Sequence, residues 1–528
     1  MIRPLRRRLL LCGLAAGLLL CTPTLAPREA RAWDPSTTHQ ALIDAAVKRS
    51  VWHLRWMEGS QMQRGIFTPL ALDSSQLDVE MRGWIQEALR TAHRDLGAHP
   101  LGGPGACPGP DAPAVLQRYC VRGDDWELSA LGWLRLGTLV EAHPRSRLFT
   151  HFTDLDDPRA AQWTDSSDSR NAALRARFSR SAGEPVAGVF AGSNYDGEHA
   201  SALTRLHDPN DPLALPALSR ELRLASLSAR SDTREHHLAM ALIILGANLH
   251  VITDASVPAH ARGDAAAFMA PLSDTAGDRG DAMVEFVRGE FGLDLPESSR
   301  PNPGGQALFE GFSDHIADPQ GLSLAPFTAT HFLSSGTLGE ARFLEEEMSP
   351  SEAASALLPD DHGLDPLEVE GATLSPWPSQ SGYLKNAAGR ALAAFDRDAS
   401  GRTYLYLDRA VMRDAASHLL PRTIDTATSV LDLVFAGHGT VRATAAGLIH
   451  ELDIPAGLVE PKLHVVHEDP EGLRRHLQSL ELVAGQTQRL VGIPDPDSPE
   501  SRIVLVFEWK TSDGVQLYGE QTVEAASP

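Results

Sequence analysis

Ser231-Asp-Thr-Arg-Glu-His-His-Leu-Ala-Met-Ala-Leu-Ile-Ile-Leu-Gly-Ala-Asn-Leu-His250-Val-Ile-Thr-Asp254-Ala-Ser-Val-Pro258-Ala-His260 is the stretch that decides the fold. Its apolar residues recur at helical spacing from Thr233 to Thr253. Asp232 and Glu235 are spaced as a capping box, so Asp232 is expected at the N-cap. His250 and Asp254 lie four residues apart and share one helical face. Gly246, one turn earlier on that face, is expected to leave room for ions. Pro258 should break the helix and bring His260 in from the turn beyond it. Imidazole and carboxylate converging on one face are nitrogen and oxygen donors suited to zinc. A lone His–Asp pair in a helix is also a common core feature, so the metal reading needs more donors.

Working outward, apolar residues at helical spacing fill Thr38 to Arg49, Gln76 to His93, Trp126 to His143, Ala282 to Phe291 and Arg402 to Ala436. Pro/Gly/Asp-rich loops are expected at 99–113, 153–170, 191–214, 262–280, 295–305 and 359–381. From about Gly437 the pattern changes. Lys462–Val466 and Arg502–Trp509 are β-rich runs between Pro, Asp and Gly. The expected fold class is mainly α: a multi-helix domain over 33–436, then a small β-sandwich-like module over 437–528.

Residues 1–32 read as a secretory signal peptide. Arg3, Arg6, Arg7 and Arg8 precede the apolar run Leu9–Leu20, and Ala30-Arg31-Ala32 forms an A-x-A cleavage site. No later stretch reads as long and apolar enough to span a membrane, so a secreted or periplasmic bacterial product is expected. Cleavage removes Cys12 and Cys21 and leaves Cys107 and Cys120, a pair expected to form one disulfide in an oxidising compartment. The chain carries a formal charge of −22, and the leader's six Arg and one Glu contribute +5, so the mature chain carries −27. That charge argues against a stable nucleic-acid partner and against tight docking on anionic lipid.

The pattern H-x3-D-x5-H, with Pro two residues before the last His, resembles the zinc-dependent phospholipase C family, which is similar in fold to single-strand-specific zinc nucleases. That family begins with a mature N-terminal Trp whose α-amino group and carbonyl ligate zinc. Cleavage after Ala32 would put Trp33 there. The resemblance implies further ligands. His39 matches the His at the start of the first long helix. Asp125, with Asp124 as the alternative, matches an Asp followed by an aromatic in Gly123-Asp124-Asp125-Trp126. His151 matches the His in His151-Phe152-Thr153-Asp154. The last pair departs from the family: Glu285 fits, but Asp281 stands where His is usual, with His315 or His331 as substitutes.

By resemblance, Asp254 bridges two zincs. His250, His151 and Asp125 complete one site, and Trp33 and His39 the second. His260, Glu285 and Asp281 hold the third. The implied cofactor is Zn2+, two or three ions. Asp125 is the candidate catalytic carboxylate that positions the attacking water. Trp126 either faces a quaternary ammonium headgroup or packs in the core. The leading expectation is a monomeric phospholipase C-like hydrolase acting on phospholipid with transient membrane-surface contact. A single-strand nuclease or nucleotidase and a non-catalytic metal-stabilised binding protein are the alternatives.

Overall fold

The computed structural model describes residues 33–59, 62, 64–95, 126–143, 147, 150–153, 201–262, 281–296, 307–318, 321–334, 368–374, 380–385, 389–397, 403–435, 440–443, 449–454, 458–491 and 500–523. The signal peptide, Cys107, Cys120, Asp124 and Asp125 lie outside these residues, as do most of the expected loops.

The described helices are α1 (Thr38–Arg49), α2 (Trp52–Gly59), α3 (Val79–Asp95), α4 (Ala130–Glu141), α5 (Ala202–His207), α6 (Leu215–Leu227), α7 (Ser231–Asp254), α8 (Pro258–Ala261), α9 (Ala282–Glu290), α10 (Phe312–Ile316), α11 (Leu324–His331) and α12 (Arg409–Phe435). The protein is mainly α, with its strands in small sheets. β1 (Pro69–Leu72) and β2 (Trp126–Ser129) form a two-stranded antiparallel ribbon. β3 (Glu368–Leu374), β4 (Gln380–Lys385), β5 (Ala391–Arg397) and β6 (Thr403–Tyr406) form an antiparallel meander. β7 (Thr440–Ala443), β8 (Ile449–Asp453) and β11 (Thr487–Val491) form a sheet in the order β11-β8-β7. β9 (Val459–Glu468), β10 (Arg474–Glu481), β12 (Arg502–Lys510) and β13 (Gln516–Val523) form another, in the order β10-β9-β12-β13.

The central helix α7 is buried on every side from Ala239 to Asp254. By length and composition it could cross a membrane, with a mean hydropathy of 1.4, but 89% of its apolar window is buried inside the protein. A helix apolar all round is here the core of the fold, which corrects the expectation that no such stretch follows the leader. Its main neighbours are α4 and α6. The α4–α7 crossing is close because glycines face each other: a Cβ on Gly246 would lie 3.0 Å from the Cα of Gly137 and would collide with the Leu134 carbonyl. Gly246 therefore serves helix packing and does not make room for ions.

Three further expectations are corrected. The N-cap of α7 is Arg230, and Asp232 sits inside the first turn, where its carboxylate accepts from the Thr233 N–H and from Arg230. The stretch from Trp126 starts as a strand: residues 126–129 alternate buried and half-buried, Trp126 pairs with Leu72, and Ser129 then caps α4 by accepting from the Gly132 N–H. Trp126 is 7% exposed within the main hydrophobic core, as the packing alternative expects. The 33–436 segment is not wholly helical, since β3–β6 lie within it.

The core consists chiefly of two clusters. The larger joins α1, α3, α4, α6 and α7 to the C-terminal sheet, from Leu245 and Leu222 through Leu463, Val504 and Phe507. The smaller gathers Trp33, Leu42, Phe152, Val257, Met283, Val287 and Leu419.

Candidate metal centre

Three side chains from two helices converge at the C-terminal end of α7. His250 and Asp254 come from its last turns, and His39 comes from the second residue of α1. Asp254 is fully buried, and its two oxygens face different partners. Oδ1 lies 3.1 Å from His39 Nε2, and Oδ2 lies 3.3 Å from His250 Nε2. The His39 and His250 rings stack with centroids 3.9 Å apart. The three donor atoms lie within 4.8 Å of one another, close enough for one metal ion to bridge them.

The donor atoms are also presented for coordination. His250 donates Nδ1–H to the Thr138 carbonyl at 2.6 Å, which leaves the Nε2 lone pair toward Asp254. Thr253 Oγ1 donates to the Leu249 and His250 carbonyls, and lies 3.2 Å from His39 Nδ1, so it accepts from Nδ1–H and frees His39 Nε2. His39 Nε2, His250 Nε2 and Asp254 Oδ1 are buried without a well-formed hydrogen bond among the described residues. Burial, then the neighbouring His250, push the His39 imidazole down to about 4, so it is neutral near pH 7. Asp254 lies well below its ordinary range: burial opposes ionisation, but the facing histidines outweigh it. Among the described residues, His39, His250 and Asp254 are the group that could hold a metal ion.

His151 reaches the same carboxylate differently. Its Nδ1 is 2.7 Å from Asp254 Oδ2, a hydrogen-bond distance, and its Nε2 is 3.2 Å from Glu141 Oε1. Burial opposes its protonation, but hydrogen bonds to the two carboxylates raise it to about 9. To bind a metal through Nδ1 it must first release a proton. Glu141, wholly buried at the end of α4, also accepts from Arg147 at 2.9 Å and Arg205 at 2.7 Å. The sequence offered no sign of it, because its partners lie in separate segments.

The remaining expected residues surround this group. Trp33 is buried, and its indole donates to Ser256 Oγ at 2.8 Å, two residues beyond Asp254. His260 is buried in α8, which Pro258 starts at its first position instead of ending a helix. Its ring packs 4.5 Å from Phe152 and 6.3 Å from His151, and burial pushes it down to about 3. The Thr153 N–H donates to the His260 carbonyl and ties the His151 segment to α8.

Asp281 and Glu285 are not in the metal-competent group. Asp281 caps α9, accepting from the Met283 N–H at 2.8 Å. Glu285 pairs with Arg288 at 2.5 Å, and Arg288 also lies 3.6 Å from Asp34, next to Trp33. Helix α9 shares its apolar cluster with Trp33 and Phe152, so it packs beside the site. The proposed substitutes are tied elsewhere. His315 bonds the Gly311 carbonyl and Ser429, and His331 bonds the Phe327 carbonyl.

No protein-family model, curated protein or solved structure matches this chain.

Proposed function

We propose that the chain is an exported zinc-dependent phosphodiester hydrolase of phospholipase C type, acting on glycerophospholipid to release diacylglycerol. The observation that carries this is the buried His39–His250–Asp254 group, whose nitrogen and oxygen donors lie within 4.8 Å of one another with tautomers set by Thr253 and Thr138. When bound, zinc supplies positive charge to a phosphodiester and lowers the pKa of nearby water. Asp254 fixes both histidines on one carboxylate. His151, held by Glu141, keeps a proton-bearing ring beside that carboxylate. By the family resemblance, Asp125 positions the attacking water, Trp33 adds its terminal groups, and His260, Glu285 and Asp281 extend the site to two or three ions.

The test is hydrolysis by the mature protein of phosphatidylcholine against single-stranded DNA, before and after chelation. Chelator-sensitive release of diacylglycerol is expected, with loss of at least about a hundredfold in Asp254→Asn. Cleavage of DNA alone would move the assignment to a nuclease. A second reading has its own support: the three donors are at most 1% exposed, as in a closed structural site. Zinc retained with no turnover on either substrate would establish that reading.

A further inference from the structure

A cavity of about 530 Å³ lies far from the metal-competent group, between α2, α6, the N-terminal half of α7, the end of α12 and the β10-β9-β12-β13 sheet. Leu238 on its wall and His250 are twelve residues apart on α7, roughly 18 Å along the axis. The volume is in the range of small-molecule sites, which run from about 300 to 1,000 Å³. One part of the wall is apolar, with Trp56, Leu70, Leu222, Phe435 and Phe507. Among the described residues the charged lining is Arg55, Arg234, Arg474 and Arg502 with Glu235, Glu468 and Glu520.

The arginines are not equivalent. Arg234 is saturated by Glu468 at 3.0 Å and by the carbonyls of Ser228, Ala229 and Gly472. Arg474 is saturated by Glu468 at 2.6 Å, Glu520 at 2.8 Å and the Ser226 carbonyl. These two hold the sheet to the helices. Arg502 bonds Glu468 through one nitrogen, and its side chain stays 31% exposed. Arg55 is exposed, and its guanidinium pairs with no carboxylate among the described residues. A guanidinium offers five donors in a planar fork that matches carboxylate and phosphate.

We infer that this cavity is a second ligand site, separate from the metal centre, for an amphipathic anion: an apolar chain against Trp56, Leu222 and Phe507, and a single carboxylate or phosphate head on Arg55 and Arg502. The site does not depend on the hydrolase assignment.

Calorimetric titration of the full mature chain with decanoate and with decyl phosphate, with 1-decanol as the neutral control, tests it. One saturable site per chain is expected for at least one of the anions. The tighter anion identifies the source as a free fatty acid or a phosphate monoester. Arg55→Glu and Arg502→Gln should each weaken binding at least about tenfold, since a hydrogen bond to a charged group contributes that much. Leu238→Trp should block binding by filling the cavity. Arg55 is at the surface, so its variant keeps the fold and remains informative if Leu238→Trp does not fold. Absence of saturable binding by either anion, unchanged affinity in both arginine variants, or equally tight 1-decanol would overturn the inference.

Discussion

Glu141 shows how a residue remote from any motif can govern the site. Its buried carboxylate faces two arginines and the ring of His151. Glu141→Gln removes one of the two carboxylates that balance them and leaves Asp211, 3.1 Å from Arg147 and 3.0 Å from Arg205, as their one remaining anionic partner among the described residues. Breaking such a pair costs about 3–5 kcal/mol, so a large drop in melting temperature is expected by calorimetry. A change under about 1 kcal/mol would mean that Asp211 alone balances both arginines. Asp432 sets a pH dependence. Burial pushes its carboxyl up to about 6 from an ordinary 3.8, against the lowering effect of the Val51 N–H it accepts. Between these values the folded protein holds a proton that the unfolded chain releases. This contribution is therefore full below about pH 4 and lost as pH rises through 6, on the order of 3 kcal/mol. Asp432→Asn keeps the acceptor for Val51 and removes the titration. Its stability advantage over the parent should be larger at pH 7.5 than at pH 4, as measured by denaturant melts at both. His39, His250 and Asp254 were legible at this scale because helical spacing and the family motif marked them. Glu141 was not, because Arg205 meets it only through tertiary folding.

At the scale of elements, the α4–α7 crossing positions the metal-competent group. Gly137 and Gly246 let the two backbones touch, and the next residue of α4, Thr138, then presents its carbonyl to His250 one turn along α7. Gly246→Ala must push the helices apart. Overpacking of this kind costs about 1–3 kcal/mol. Loss of the Thr138 contact should also weaken zinc binding roughly 10–100-fold, the usual effect of removing a residue that orients a metal ligand. Competition titration with a zinc indicator measures it, and unchanged zinc affinity would detach the crossing from the site. The sequence marked α7 and its terminal pair but misread this glycine, because its neighbour is on another helix. The β3–β6 meander escaped detection for a different reason. Strands such as Glu-Val-Glu-Gly-Ala-Thr-Leu and Gln-Ser-Gly-Tyr-Leu-Lys lack the β-branched alternation that made Arg502–Lys510 legible.

Across the whole molecule, the larger apolar cluster runs without interruption from the helices into the C-terminal sheet. Arg474 and Arg234 fasten that junction through Glu468 and the carbonyls at the end of α6. The change of sequence pattern near Gly437 coincides with a change of secondary structure, and the larger apolar cluster has members on both sides of it. A chain ending at Phe435 would expose Leu222, Val434 and their neighbours. It should lose cooperative thermal unfolding and elute as aggregate in size-exclusion chromatography. A monomeric, cooperatively melting truncation would show two separable cores.

Zinc per chain in the purified mature protein tests the proposal that His39, His250 and Asp254 hold the metal. At least one ion per chain is expected, with at least one lost in each of His39→Ala, His250→Ala and Asp254→Asn while circular dichroism reports a retained fold. Zinc below one per chain in the parent, or undiminished in the three variants, would contradict it.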